Sequence, residues 1–391
     1  MMTNENVYKE LEFLQQPSFC HFVHIPPAPF FLLFIMPVTR SSRRLVNSRH
    51  NPMARPGVTT SSHRVQPTII HPIVENIDKQ SVKLNATRFP NTDCSMFLQK
   101  QLNSLNKSGF SNELTVKEVF SDTKNYFVGE EGEHLKSLLD KVGIDLGTVN
   151  YRFRMIIVSQ IQEGDEVLFF IMTVKEYESL GCVTIDYLDS LFYYKPGKSG
   201  VSRGAVYDAV INSYLDYAVS LGYCKSHIFV CSPRDNGSFL FNKRPKDMVI
   251  YDQTKLTNWY KKVLDNNKES VRSHQQTLPS YFDDCKTLEE FILNLLISDL
   301  LRDILIGTLQ GVAYESGKQL IFITLAKKDF SITSTNQQRI YHPMTESRKM
   351  YMDSLERRKL EFDTFEKAKK STATIFELLL SETQSNKGNS Q

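Results

Sequence analysis

Apolar positions change their period several times along the chain, and each change predicts an element. From Glu113 to Phe120 polar and apolar residues alternate as in a half-buried strand. Arg152 to Gln160 and Asp165 to Val174 are extended apolar runs around Gln162-Glu163-Gly164, a predicted hairpin. Cys182 to Leu188, rich in β-branched and aromatic residues, adds a buried strand, so these runs together predict a meander. Upstream, Met96, Phe97, Leu98, Leu102 and Leu105 recur at helical spacing. Ala205 to Leu221 sets Val206, Ala209, Val210, Tyr214, Tyr217 and Ala218 on one helical face and stops at Gly222, a suitable C-terminal residue. Ser226 to Cys231 and Gln319 to Leu325 read as strands, and Arg348 to Leu380 as mainly helix. Between them Leu288, Phe291, Ile292, Leu295, Leu296, Leu300 and Leu301 form an apolar stripe, explained by core packing.

The first 66 residues follow another pattern. Ser18 to Val38 is apolar but interrupted by Pro26, Pro27, Pro29 and Pro37, and the unbroken run from Phe30 to Met36 is far short of the roughly 20 residues of a membrane helix. No anchor is expected. The opening residues, with Glu5 and Glu10 against Lys9, lack the basic start of a signal peptide. Val38 to Pro67 carries Arg40, Arg43, Arg44, Arg49, Arg55 and Arg64 without an acidic residue, among Ser, Thr, Asn and Pro. That composition predicts a disordered arm, either a solvated tail or a segment for nuclear entry or phosphate contact. Residues 1–66 are therefore expected to be a tail, and residues 383–391 another.

Composition narrows the remaining possibilities. With 391 residues, 41% hydrophobic and 23% charged, the chain can bury a sizeable core. A net charge of +3 supports no general affinity for polyanions, so no nucleic-acid site is expected beyond the arginine arm. The six cysteines are dispersed and form no C-x-x-C pair, which argues against a zinc module or a disulfide framework and fits a reducing compartment. No metal is expected.

One stretch concentrates chemistry. Lys195-Pro196-Gly197-Lys198-Ser199-Gly200-Val201-Ser202-Arg203-Gly204 joins a strand to a helix expected to open at Ala205, with three glycines and three cations. Backbone N–H groups at a helix start, with Arg203 beside them, suit an anion such as a phosphate. Gly197-Lys198-Ser199 copies the end of a nucleotide-binding P-loop, but that motif needs a glycine where Phe192 stands. Taken alone, the loop reads more readily as a solvated surface turn than as an anion site.

Four ordered blocks resolve that ambiguity. Tyr187-Leu188-Asp189-Ser190, Arg203-Gly204-Ala205-Val206-Tyr207, His227-Ile228-Phe229-Val230-Cys231-Ser232-Pro233 and Trp259-Tyr260-Lys261-Lys262-Val263-Leu264-Asp265 resemble successive blocks of the CREB-binding protein family of histone acetyltransferases. His227 to Tyr260 needs no gap, and a three-residue insertion before Arg203 suffices. Ala86 to Thr92 with its following helix, and the C-terminal Lys359-Leu360-Glu361-Phe362 and Glu377-Leu378-Leu379, extend the resemblance over residues 84–382 as one catalytic domain. The family's long lysine-rich loop, expected between Phe291 and Gly311, is replaced by a short hydrophobic connection, and no bromodomain or zinc module is read.

The resemblance implies an α/β fold, an acetyl-CoA acetyltransferase-like central mixed sheet flanked by helices, with a long loop covering the cofactor. It implies acetyl-CoA as co-substrate, Tyr260 as general acid to the coenzyme A sulfur, Phe229 as a wall of the lysine tunnel, and Trp259 against the cofactor. Leu188, Asp189 and Ser190 match the cofactor-binding triplet, Arg203 the phosphate-binding arginine, Gly204 and Lys255 its neighbours, and Ile250 an adenosine-side contact. Asp283 and Glu346 keep the acidic character of the substrate groove. Implied partners are histone tails or other lysine-rich proteins, with transcription factors possible, in the nucleus and away from membranes. Transfer would be direct, so Cys231 is not expected to be a nucleophile, and His227 is left structural.

Several positions depart from the family. Phe229 stands for a tryptophan, Gly204 for a threonine, Lys255 for an arginine that forks to two acceptors, Arg244 for a histidine, and Phe153 for a threonine, while Lys349 reverses an acidic position. These changes keep open an alternative, a catalytically weakened paralogue acting as a coenzyme A-binding or protein-interaction module.

Overall fold

The computed structural model describes residues 85–105, 114–127, 148–232, 239–276, 318–327 and 339–385. The arginine arm, the 288–301 stripe, the 291–311 connection and Asp283 lie outside the described residues. Strands β1 (Leu114–Phe127), β2 (Thr148–Gln162), β3 (Asp165–Tyr177), β4 (Cys182–Ser190), β5 (Lys225–Cys231), β6 (Val271–Gln275) and β7 (Lys318–Leu325) form a seven-stranded sheet in the order β1-β2-β3-β4-β5-β7-β6. Only β4 and β5 pair in parallel, so the sheet is mixed.

The expected hairpin and meander are present. Gln162 pairs Asp165, leaving Glu163 (φ 55°) and Gly164 (φ 81°) as a two-residue turn in the left-handed region, where the twist suits the flanking strands. From Val167 to Met172 every side chain of β3 is fully buried, so this strand reads as a continuous apolar run because both its faces are covered. β6 was not foreseen. Of its residues only Val271 is buried, and an edge strand of polar residues carries no apolar period.

The helices are α1 (Asp93–Ser104), α2 (Arg203–Ser220), α3 (Gln253–Asp265), α4 (Arg348–Arg357) and α5 (Phe365–Ser385). α1 packs on α2 and β1, α3 on β5, and α5 on β3. Met96, expected on the apolar face of α1, is 50% exposed; Cys94, Leu98 and Leu102 make its buried stripe. α2 is buried beyond one face, with Tyr207, Ile211 and Leu215 also inside, because it crosses between the parallel strands. The expected helix from 348 to 380 is broken. Lys359 adopts φ 54°, Leu360 N–H bonds back to the Leu355 carbonyl, and Thr364 restarts the helix by accepting from Lys367 N–H at 3.3 Å.

A buried ionic cluster ties the meander to α1 and α2. Arg154 on β2 donates to both oxygens of Glu176 on β3 at 2.7 and 3.0 Å, and to Glu118 on β1 at 2.7 Å. Its side chain is 2% exposed. The hydroxyl of Thr92, which caps α1, donates to Glu118, and Tyr214 of α2 donates to Glu176 at 3.2 Å. Burial alone would lower the Arg154 pKa, but Glu176 and then Glu118 more than offset it and hold the guanidinium charged above the usual arginine range. Removing it strands two carboxylates in the core. Arg154→Met should therefore cost about 3–5 kcal/mol in denaturant unfolding, with much of the loss recovered when Glu118→Gln and Glu176→Gln are added. A loss under about 1 kcal/mol would show that the cluster is not a structural anchor.

Candidate functional site

The site originates where two strands part company. β4 and β5 pair only from Cys182 with Lys225 to Ile185 with Ile228. At the next position β4 bulges. Thr173 faces Tyr187 and Val174 faces Ile185, so Asp186 is the extra residue, held by Lys175 at 2.8 Å and by the Thr184 hydroxyl at 2.7 Å. Beyond it β4 continues to Ser190 on β3, while β5 continues to Cys231 on β7. The gap opens into a cleft of about 750 Å³, within the usual size of a small-molecule site.

Residues distant in sequence line that cleft. Leu188, Asp189 and Ser190 come from the departing end of β4, and Phe229 and Cys231 from the end of β5. Tyr187 packs edge-on against Phe229, ring centroids 6.2 Å apart, and carries the Arg348 guanidinium over its ring, 4.3 Å from the centroid. Arg203 and Gly204 enter from the N-terminus of α2, Ile250 from an exposed lip, and Trp259 and Tyr260 from α3. Arg203 and Tyr260 thus face one cavity.

The glycine-rich loop is shaped by backbone conformation. Gly197 (φ 58°) and Gly200 (φ 67°) occupy the left-handed region in open space, so a side chain would be excluded by φ and not by crowding. Gln160 pins the loop's start, accepting from Lys195 N–H at 2.9 Å and donating to its carbonyl at 2.8 Å, and the Tyr194 hydroxyl donates to the Val201 carbonyl at 3.0 Å. The helix begins at Arg203, two residues before the expected Ala205, because Ser202 caps it by accepting from Ala205 N–H at 3.1 Å. Arg203 and Gly204 are then first-turn residues whose N–H groups no helical carbonyl can reach. At Gly204 an added Cβ would approach only the Ser202 hydroxyl, at 3.9 Å, so nothing in the structure demands glycine there.

α3 is fastened to the end of β5. Gln253 donates to the Val230 carbonyl at 2.9 Å and accepts from Ser232 N–H at 2.9 Å, which fixes Trp259 and Tyr260 relative to Phe229. Asp252 caps the helix by accepting from Lys255 N–H at 2.8 Å. Trp259 and Tyr260 lie with ring centroids 4.7 Å apart, and Tyr260 is 4% exposed. Burial, followed by the nearby Asp189 charge, raises the Tyr260 pKa, so the phenol keeps its proton at neutral pH. His227 is buried edge-on to Phe322, and burial lowers its pKa to about 3, which leaves it neutral and outside the cleft wall.

Two expected site residues stand apart. Lys255 is exposed on α3, 3.3 Å from Asp252, and is not in the cleft wall. Glu346 is also outside it, accepting from the Tyr341 hydroxyl at 3.2 Å while its carbonyl accepts from Lys124. Asp189 is in the wall, but its carboxylate is spent within the protein. One oxygen accepts from Arg244 and from Ser190 N–H, each at 2.8 Å, and the other from Phe241 N–H at 3.0 Å. Arg244, read from the sequence only as a departure, therefore organises this wall. Among the described residues no group of His, Cys, Asp and Glu could hold a metal ion, and no helix is long and apolar enough to cross a membrane.

Residues 97–278, which contain every lining residue of the cleft except Arg348, match the family described as histone acetyltransferase domain KAT3. Residues 97–278 are recognised as a KAT3 histone acetyltransferase domain. It is 29% identical over 198 residues to Protein cbp-1 of Caenorhabditis elegans, covering 48% of this chain and 10% of that protein. It is 29% identical over 166 residues to Histone acetyltransferase HAC2 of Arabidopsis thaliana, covering 40% of this chain and 12% of the relative. The matched KAT3 stretch is thus about a tenth of each relative's length. Rtt109 from Aspergillus fumigatus is similar over 72% of this chain and 95% of its own, at 12% identity and a TM-score of 0.41, too distant to bear on the site.

Acetyl-CoA is the acyl donor of a KAT3 domain, and the residues present fit it. The cleft has the volume, a helix start with an arginine at its first position and first-turn N–H groups beyond the reach of helical carbonyls, and an apolar wall at Ile250 and Trp259. Two outcomes are expected. Arg203→Ala should raise the dissociation constant of coenzyme A about tenfold in a calorimetric titration, whereas an unchanged constant would remove Arg203 from the site. The second concerns pH. Burial raises the Asp189 pKa, with Arg244 and then the Phe241 and Ser190 N–H groups opposing the rise. Ionising it in the fold therefore costs stability as pH climbs from about 4, the unfolded aspartate value, towards its raised folded value. Without Arg244 that window widens upward. Arg244→Gln should lose more stability relative to wild type at pH 8 than at pH 5, and equal losses would mean that the pair carries no such linkage.

Proposed function

We propose that this KAT3 domain is a protein-lysine N-acetyltransferase acting first on histones, by direct transfer and without an acyl-enzyme. The observation that carries this reading is the single cleft shared by the α2 N-terminus with Arg203 and by Tyr260. Bound acetyl-CoA supplies an acetyl group activated as a thioester. Arg203 and the free first-turn N–H groups would hold its phosphates, favoured by the positive end of the helix dipole. Leu188 to Ser190 and Trp259 would line the acyl arm, Ile250 would cover the adenosine side, and Gly204 offers backbone approach without a hydroxyl. The finer architecture proposed is that of an acetyl-CoA acetyltransferase, with the segment from Phe239 to Asp252 as the covering loop.

The chemistry needs a neutral lysine amine and a proton for the departing sulfur. Tyr260 is suited to the second demand, since its Oη holds a proton at any pH where the protein is folded and neutral to mildly basic. Phe229 and Tyr187 provide an aromatic wall that excludes water from the path of an incoming lysine. Cys231 borders the same cleft, but a direct transfer leaves it without a covalent role. Glu346 and Asp283 are proposed to retain the affinity for lysine-rich histone tails. A nuclear location, transcription coactivator work and recruitment by transcription factors belong to the same proposal, as does one catalytic domain over residues 84–382 between two tails.

Lys255, turned to Asp252 outside the cleft wall, and Gly204, lacking a hydroxyl, favour a second reading in which coenzyme A is bound but turnover is weak. One assay separates the two. Purified protein, labelled acetyl-CoA and core histones should give transfer that falls at least about 100-fold in Tyr260→Phe, with coenzyme A binding retained. Equal rates in wild type and variant would strip Tyr260 of its role. Wild type that binds coenzyme A and transfers nothing would establish the second reading.

A further inference from the structure

The cleft has one wall built by a charge that the family pattern does not supply. We propose that Arg244 is a positioning residue, whose guanidinium locks the end of β4 to the 245–251 lip and so sets the width of the acyl-donor cleft. The inference rests on the acetyltransferase reading above and adds to it the residue that shapes the donor site.

The geometry is specific to arginine. Nη1 donates to Asp189 Oδ1 at 2.8 Å, and Nη2 donates to the Ser190 carbonyl at 2.8 Å and approaches the Met248 sulfur at 2.9 Å. The guanidinium plane also covers the Phe239 ring, 4.0 Å from its centroid. A planar fork can reach an acid, a carbonyl and an aromatic face together; an ammonium or an imidazole cannot. The pair is nearly out of solvent, with side chains 13% and 7% exposed.

Its mechanical importance follows from what else holds the lip. The segment ahead of Arg244 is fastened to the α4–α5 connection: Asn242 donates to the Leu360 carbonyl at 3.1 Å, Phe362 N–H donates to the Asn242 carbonyl at 3.0 Å, and Phe241 packs on Phe362 at 4.9 Å. The segment after it is fastened at Ser232, whose hydroxyl donates to the Tyr251 carbonyl at 2.5 Å. Residues 245–250 between those ties form no strand or helix, and they include Val249 and Ile250, 74% and 51% exposed at the cleft lip. Arg244 joins them to β4, where Asp189 is fixed opposite Ile171 of β3. The rigid sheet thereby fixes the lip.

The charge also settles the middle of the site. The Asp189 charge helps to keep the phenols of Tyr207 on α2, Tyr260 on α3 and Tyr351 on α4 protonated. Arg244 is the cation paired with it.

The test compares wild type, Arg244→Gln and Arg244→Lys by coenzyme A titration and by hydrogen exchange of the unliganded protein. Arg244→Gln should raise the coenzyme A dissociation constant about tenfold or more and speed exchange of amides 246–252. Arg244→Lys, which keeps the charge and loses the fork, should fall between. Acetyl-CoA KM should rise with the dissociation constant while kcat at saturation changes by less than about threefold, the pattern of lost uniform binding. A dissociation constant equal to wild type, with only a lower melting temperature, would reduce Arg244 to a structural residue and overturn the inference. Should Arg244→Gln fail to fold, Arg244→Lys decides by the same criterion. Wild type that binds no coenzyme A would instead sink the acetyltransferase reading, an outcome the titration distinguishes at its first step.

Discussion

The structure depends on a short parallel pairing. β4 and β5 share a ladder only from Cys182 to Ile185, and the bulge at Asp186 turns β4 away just where that ladder stops. A parallel pair requires a crossover, and here the crossover is α2, so its N-terminus is delivered to the mouth of the gap that the bulge creates. One constraint thus produces a cavity, a helix N-terminus beside it, and two walls of different character. A polar wall comes from β4 and an aromatic one from β5.

The remaining elements keep that gap from closing. On one side the meander is made stiff by β3, buried on both faces, and by Arg154 bridging three strands beneath α1 and α2. On the other, Gln253 fixes α3 to the end of β5, and the α4–α5 connection holds Phe241 and Asn242. Gln253 makes its joint by pairing the Val230 carbonyl and the Ser232 N–H at the end of β5. The cleft is therefore an interruption of the sheet.

Much of this was legible in the sequence, and for identifiable reasons. Extended apolar runs on either side of Glu163-Gly164 gave the meander, and Leu188, Arg203, Phe229 and Tyr260 converge on one cleft although 72 residues separate the first from the last. What escaped was tertiary. Ser202 did not stand out as a cap because Gly204 follows it within the first turn. β6 was missed because an edge strand with one buried residue has no apolar signal. Lys255 matched a family position by alignment, yet it turns to its own helix cap, since Asp252 three residues earlier offers a nearer partner. Arg244 looked like a lost histidine, because its meaning lies in Asp189, 55 residues away.

The central claim is that the gap between β4 and β5 receives an acyl carrier with its phosphates at the α2 N-terminus. Trp259 is the chain's single tryptophan and stands in the cleft wall beside Tyr260. Its fluorescence therefore reports that cavity alone. Titrating the protein with coenzyme A should change the emission saturably, with an affinity that weakens as salt screens the phosphates from Arg203. A flat emission through millimolar coenzyme A, in protein whose circular dichroism shows it folded, would contradict the account.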